Sequence, residues 1–230
     1  MRNAKLLCVI AAALMALSCS AVDKNKMALA EMKWDLAPAA IQVHFTSDPN
    51  LNLFNGQRHT VLMAVCQSMD PNSFLVQLSN QSTIGRLLET GQGVPTLIPG
   101  FNRFVISPGQ TDTLKMDRAQ GVQYVGIVAG YYDLDPTRVA RLFAVPVVLH
   151  KHGFIFKTIT ATPEPLNIEL QLGATAIASA SREPPALDGG KLVPVPGEQD
   201  GMIPISVVGI RQSQVDIVPT VVPLPQAGGN

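Results

Sequence analysis

Two aspartates and two arginines lie close together in the segment YYDLDPTRVAR, where a single residue separates Asp133 from Asp135. Paired carboxylates can act as acid and base in general acid–base catalysis. These two lie in a turn beside Arg138 and Arg141, and capping of the turn together with ion pairing explains them better. The sequence contains no phosphate-binding loop, no GxSxG and no HExxH motif. We therefore expect neither catalytic residues nor an enzyme.

Two histidines and one cysteine are candidates for metal binding or redox chemistry. His150 and His152 would share a face of a strand, but a metal needs further ligands, and no acid or cysteine is close in sequence. We interpret them as the solvated end of a hairpin and predict no metal site. Cys66 lies in the apolar run TVLMAVCQS, where an unreactive buried thiol is expected.

The N-terminus has the pattern of a signal peptide. Arg2 and Lys5 precede an apolar run that is shorter than the roughly 20 residues of a membrane-spanning helix. The run ends in small residues before Cys19, the pattern that bacterial lipoprotein signal peptidase accepts. We expect cleavage before Cys19 and a covalent lipid on its thiol, with no other cofactor. A triacylated cysteine would stay in the membrane, because each buried methylene contributes about 0.8 kcal/mol.

The same segment could also be an ordinary secretory signal with a chance cysteine. Ala16 stands three residues before Cys19, where leucine is more usual. Ser20 follows the cysteine, whereas aspartate there commonly retains lipoproteins at the inner membrane. The expected location is the outer membrane, with the folded part facing the periplasm.

The composition narrows the class of protein. Lys+Arg and Asp+Glu number 17 each, so the charge gives no indication of a nucleic-acid partner. Charged residues make up 15% of the chain, below the roughly 25% that is usual for soluble domains. Once Cys19 is lipidated and the signal is removed, Cys66 would be the only thiol, so no internal disulfide is expected.

The middle of the chain alternates in the manner of β-strands. In IQVHFT, at 41–46, the side chains of Ile41, Val43 and Phe45 point to one face. Further strands are predicted at 60–68, 102–107, 111–116, 121–132, 140–150, 153–160 and 166–177. About eight strands at short spacing predict an all-β sandwich of two sheets. Apolar residues at helical spacing predict a short helical insertion near 70–90.

Proline becomes frequent after residue 178, and because it blocks ladder hydrogen bonds these residues cannot form central strands. We interpret them as an extended tail or linker, in which 205–212 is a candidate edge strand. The predicted division is a lipoprotein signal peptide at 1–18, a lipidated spacer at 19–38, a β-sandwich at 39–178 and a Pro/Gly-rich tail at 179–230.

The order of these motifs resembles that of the outer-membrane lipoproteins of type VI secretion systems, the TssJ (SciN- or VasD-like) family. The resemblance covers roughly residues 19 to 177. The matching features are the cysteine at the end of the signal, the loop NLNLFNG at 50–56, the helical Phe74 and Leu78, the turn SPG at 107–109, and the strand YVGIVAGYYDL at 124–134.

The resemblance implies a transthyretin-like sandwich with a structural task. Such a protein would bind the periplasmic domain of the inner-membrane component TssM and so tether it, with TssL in the same complex. Its acyl chains would insert into the lipid of the outer membrane. Transferred by position, the contact falls on the loop between the first two strands, at Asn50, Leu51, Asn52, Leu53, Phe54, Asn55 and Gly56. Apolar loop tips are good interface anchors, although these side chains could instead fold back onto the sandwich.

The chain also departs from the family pattern. Members often have a Trp-Arg pair after the YYDLD-like segment, whereas Val139-Ala140-Arg141 stands here and the only tryptophan is Trp34. The Pro-rich tail is longer than the resemblance implies.

The main alternative is a lipid-anchored sandwich that binds a ligand such as a carbohydrate. Binding sandwiches commonly present aromatic platforms. Aromatic residues make up only 5% of this chain, and Phe54, Tyr131 and Tyr132 form no evident cluster in the sequence. The sequence therefore favours the structural lipoprotein.

Overall fold

The structure is a computed structural model that describes residues 24–90, 98–153 and 158–205. The predicted signal peptide, Cys19 and nearly all of 205–212 lie outside the described residues. The helices are α1 (Lys24–Glu31), α2 (Pro71–Gln77), α3 (Gln81–Thr90) and α4 (Pro136–Val139). The strands are β1 (Ala37–Ser47), β2 (Val61–Ser68), β3 (Gly100–Ile106), β4 (Thr111–Arg118), β5 (Tyr124–Ala129), β6 (Ala140–Ala144), β7 (Val147–His152), β8 (Thr158–Pro163), β9 (Leu166–Leu172), β10 (Ile177–Arg182), β11 (Lys191–Leu192) and β12 (Met202–Ile203).

Two sheets form a sandwich. One has four strands in the order β10-β9-β1-β4, and the other has five in the order β12-β6-β5-β2-β3. β1 runs parallel to β9, whereas its pairing with β4 is antiparallel. The predicted all-β sandwich with a helical insertion near 70–90 is confirmed.

The alternation of the strands builds the core between the sheets. Ile41, Val43 and Phe45 of β1 are fully buried, as the sequence pattern predicts, and the intervening residues reach the surface. β9 alternates in the same way through Leu166–Leu172. Each fully buried side chain of this size contributes about 1.5–3 kcal/mol.

β2 is buried on both faces because helices cover its outer side. Its neighbours in the sheet are β5 and β3, so β2 is an interior strand. Phe74 of α2 and Ile84 of α3 are fully buried and belong to the same core cluster as β2. Asp70 precedes α2 and Pro71 begins it, but the Asp70 side chain makes no capping hydrogen bond.

The regular structure continues beyond residue 178, where the sequence predicts a tail. β10 pairs with β9, β11 pairs with β7, and β12 pairs with β6. All three lie at the edge of their sheet, where proline is tolerated because one side of the strand needs no ladder hydrogen bonds. The proline pattern thus correctly excludes central strands but does not exclude edge strands.

A third, smaller sheet joins β11, β7 and β8. Pro146 separates β6 from β7, which the sequence predicts as one strand. Helix α1 contacts β8, so part of the predicted spacer is packed against the protein. None of the described helices is long and apolar enough to span a membrane.

Candidate partner-binding site

Beside the β3–β4 turn at 107–110, three further connections pack together at one end of the sandwich, which we call the three-loop end. They are the β1–β2 loop at 48–60, the β5–β6 connection at 130–139 and the β9–β10 turn at 173–176. The amide of Leu53 donates to the carbonyl of Ala174 at 2.7 Å. The hydroxyl of Tyr131 donates to the carbonyl of Gly173 at 3.1 Å. The loops therefore support one another.

The β1–β2 loop is itself a small hairpin. Phe54 and Gln57 exchange two backbone hydrogen bonds of 2.8 and 2.9 Å. Asn55 and Gly56 between them have φ of 49° and 75°, the left-handed backbone of a type I′ turn, which Asn-Gly favours. The sequence NG thus fixes a tight turn that holds Phe54 at the tip.

Asn52 links this hairpin to the β5–β6 connection. Its side-chain amide donates to the carbonyl of Thr60 at 3.1 Å, and its side-chain oxygen accepts from the amide of Tyr132 at 3.1 Å. The residue is 6% exposed and has φ of 50°, which asparagine tolerates better than most residues.

An exposed apolar surface covers the three-loop end. Leu53, Phe54 and Tyr132 are 39%, 46% and 54% exposed. The rings of Phe54 and Tyr132 stack with centroids 4.2 Å apart and planes 17° apart. The ring of His59 meets Tyr132 edge-on at 5.2 Å. Stacking holds these aromatic side chains in fixed positions while part of their surface stays in water.

Beside the aromatic pair is a cleft of about 340 Å³ that is open to solvent. Asp133 and Arg138 line it and form an ion pair of 2.8 Å. Arg138 also donates to the hydroxyl of Thr175 at 3.2 Å. Both members of the pair are about half exposed, so the pair adds little stability and mainly fixes the position of the guanidinium.

The structure divides the predicted contact residues into two groups. Leu51 and Asn52 are buried and form the base of the loop, so they cannot contact a partner in this conformation. The residues that reach the surface are Asn50, Leu53, Phe54, Asn55 and Gly56. Both sequence readings of the loop therefore apply, since one leucine folds back and the other faces solvent.

One sequence inference is wrong: Phe54 and Tyr132 do cluster. They are far apart in sequence, and only the pairing of the strands brings their loops together. The same topology adds Asp133, Arg138 and Thr175 to the site. The sequence signal that could have located this site is the pair Tyr131-Tyr132 directly after β5. Consecutive residues of an extended chain point to opposite sides, so one tyrosine is buried and the next is exposed.

The residues suggested for catalysis have structural roles. Asp135 caps α4 by accepting from the Thr137 amide at 2.9 Å and its hydroxyl at 2.7 Å. These hydrogen bonds, helped by Arg138, lower the pKa of Asp135. The interpretation of both aspartates as capping and ion-pairing groups is confirmed.

His150, His152 and Cys66 are the candidates for metal binding or redox chemistry, and the structure shows the surroundings of each. His150 and His152 stack with ring centroids 6.3 Å apart, and the Nε2 of His150 lies 3.8 Å from the Glu164 carboxylate. Among the described residues, no group of three or more His, Cys, Asp or Glu is placed to hold a metal. Burial raises the pKa of the Cys66 thiol to about 12, which keeps it protonated and unreactive.

The protein is a β-sandwich that presents an exposed apolar surface on loops held together by hydrogen bonds. The family model described as type VI secretion lipoprotein (VasD, EvfM, TssJ, VC_A0113) matches residues 39–172, which is more than half of the chain. The protein belongs to this family.

Solved structures of similar proteins come from the same secretion system. The type VI lipoprotein TssJ1 from Pseudomonas aeruginosa is 18% identical, with 64% of this chain and 97% of that chain covered and a TM-score of 0.47. The lipoprotein Lip from Serratia marcescens, a membrane-bound component of the system, is 17% identical, with 63% and 96% covered and a TM-score of 0.45. A chain of a type VI membrane complex is 14% identical, with 65% and 98% covered and a TM-score of 0.43. No curated protein sequence matches.

Proposed function

We propose that this type VI secretion lipoprotein is anchored to the outer membrane through Cys19 and binds the periplasmic domain of TssM with its three-loop end. TssL belongs to the same membrane complex in this proposal. The protein acts as a structural tether and not as an enzyme. Membership of the lipoprotein family supports the setting, and the apolar surface of the loops supports the contact.

The observation that carries the proposal is the exposed stack of Phe54 on Tyr132 beside Leu53. Three large apolar side chains at least one-third exposed lie together on loops that hydrogen bonds hold in place. A partner that covered them would gain about 25 cal/mol for each Å² of apolar surface removed from water. It would also lose little entropy, because the aromatic rings are already ordered.

The contact can be tested by placing charge on the loop tip. We expect Leu53→Asp with Phe54→Asp to weaken binding of the TssM periplasmic domain by at least about 30-fold, because a buried carboxylate at an interface centre costs about 2 kcal/mol or more. Isothermal titration calorimetry on the purified proteins measures the affinity.

A matched control carries the same two charges elsewhere. Val76 and Leu187 are 53% and 42% exposed, and neither lies on the three loops or beside them. Val76→Asp with Leu187→Asp should bind TssM like the unchanged protein. If the loop variant keeps its affinity and its melting temperature, the contact lies on another surface.

The anchor can be tested separately at Cys19. Cys19→Ala removes the thiol that accepts the lipid, so we expect no mature lipoprotein and loss of the protein from outer-membrane fractions. Cys66→Ala is the matched control, because that thiol is buried and should leave fractionation unchanged. Processed, membrane-bound protein from Cys19→Ala would disprove lipidation at this residue.

Carbohydrate binding is a second candidate function, and the aromatic pair is the observation that favours it. An aromatic pair next to a cleft with Asp133, Arg138 and Thr175 offers stacking together with polar groups. In this case, soluble cell-wall oligosaccharides should bind saturably, Tyr132→Ala should abolish that binding, and TssM should not bind. Titration of both ligands against the same protein separates the two functions.

A further inference from the structure

The residues just after the lipid anchor are fixed to the sandwich at the end opposite the three loops. The Arg118 guanidinium lies 5.5 Å from the centre of the Trp34 ring. Arg118 also donates to the carbonyl of Asp35 at 3.1 Å, and the Gly121 amide donates to the carbonyl of Trp34 at 2.7 Å. Arg118 is only 4% exposed, so this contact is built into the fold. We call this region the anchor end.

β1 separates the anchor end from the three-loop end. Ala37 at its start pairs with Arg118, and Thr46 near its finish pairs with Thr111. Seven residue steps separate Thr111 from Arg118 on β4, so these two pairs lie about 23 Å apart at the usual rise per residue. Trp34 and the partner-binding loops are therefore held at opposite ends of one strand.

The anchor end exposes large apolar side chains of its own. Leu36 is 62% exposed and Met69 is 36% exposed. A Cβ built on Gly121 would lie 2.6 Å from the terminal carbon of Met69, which places Met69 next to the Trp34 contact. Met27 is 48% exposed and lies on α1, the helix that precedes Trp34 in the chain.

The distance to the predicted lipid decides what covers these side chains. The chain from Cys19 to Lys24, where α1 begins, can span at most about 18 Å when fully extended. α1 adds about 12 Å, so of the two ends of β1 the anchor end is the one nearer to the bilayer along the chain. Lys24, Lys26 and Lys33 are nearly balanced by Glu31 and Asp35, so apolar contact and not charge would dominate.

We propose that the anchor end is a lipid-contact surface, with Leu36 and Met69 inserted at the level of the phospholipid headgroups. This inference rests on the proposed lipidation of Cys19. With this contact the folded domain has a fixed orientation on the membrane and is not tethered freely. β1 then points away from the bilayer, and the three-loop end faces the periplasm.

The test measures the depth of single labels in the full-length, acylated protein. Leu36→Cys is labelled with a polarity-sensitive fluorophore in vesicles of phosphatidylethanolamine and phosphatidylglycerol that carry spin-labelled acyl chains. Cys66 should not react, because it is fully buried and its thiol has a raised pKa. Val105→Cys is the matched control, since Val105 is 65% exposed and lies on β3, near the three-loop end.

We expect the spin-labelled lipid to quench the label at position 36 at least about twofold, because surface-active segments reach about 5–10 Å into the headgroup region. The label at 105 should be unaffected, and the quenching at 36 should persist in high salt. Met69→Cys repeats the measurement at a second site and should give the same result.

Flotation of the vesicles separates the two possible failures. If the labelled protein does not float, lipidation at Cys19 has failed and the lipid-contact surface fails with it. If the protein floats but positions 36 and 69 are quenched no more than 105, the anchor stands and the lipid-contact surface is overturned. In neither case is the contact between the three-loop end and TssM affected.

Discussion

Asn52 shows how one residue can hold two loops together. Its side chain bonds the backbone of its own loop at Thr60 and the neighbouring connection at Tyr132. Its left-handed backbone, with φ of 50°, turns the chain so that Leu51 points inward and Leu53 outward. The exposed aromatic pair therefore depends on a residue that is itself almost hidden from solvent.

We expect Asn52→Ala to destabilise the protein by about 2–3 kcal/mol, because two hydrogen bonds are lost and alanine is strained at positive φ. Asn52→Gly loses the same hydrogen bonds without that strain and should cost about 1 kcal/mol less. Urea unfolding monitored by circular dichroism measures both. A loss below about 0.5 kcal/mol for the alanine variant would show that the bridge contributes little.

At the scale of elements, a glycine in β5 allows a helix to pack on the sheet. The Phe74 ring of α2 lies directly against Gly126, where a Cβ would overlap it. Phe74 is fully buried and belongs to the core cluster, so the ring has no free space into which to move. The glycine within YVGIVA thus has a packing reason and not a turn-forming one.

Gly126→Ala should destabilise the protein by about 2 kcal/mol or more, because the added methyl overpacks the core. Combining it with Phe74→Leu should recover part of that loss, since the smaller side chain leaves room. The melting temperatures of the two single variants and the double variant form a cycle. Strictly additive losses would show that the two positions do not interact.

The sequence predicts strands well where apolar and polar residues alternate, because consecutive side chains of a strand point to opposite faces of the sheet. Ile41, Val43 and Phe45 alternate with polar residues, and the structure buries all three. The sequence could not pair Phe54 with Tyr132, because that contact depends on which strands are neighbours. It also could not place Trp34 on Arg118, because a cation–π contact across the fold leaves no local pattern.

At the scale of the whole molecule, the family model matches residues 39–172, and the segment that follows adds further strands to the sandwich. Residues 177–203 add an edge strand to each of the three sheets. Arg182 at the end of β10 donates to the Glu198 carboxylate at 2.8 Å, and both side chains are largely buried, with 7% and 11% exposed. This pair connects the four-stranded sheet to the segment that leads into β12.

Breaking that pair tests whether the segment is part of the cooperative fold. Glu198→Gln leaves a buried guanidinium whose Nε and Nη1 have no hydrogen-bond partner within the described part of the chain, so we expect a loss of about 3 kcal/mol and faster hydrogen exchange in β12. Replacing both residues by methionine removes the unpaired charge and should restore most of the stability. If Glu198→Gln speeds exchange in β12 while the melting temperature stays constant, the segment opens independently and the sandwich does not need it.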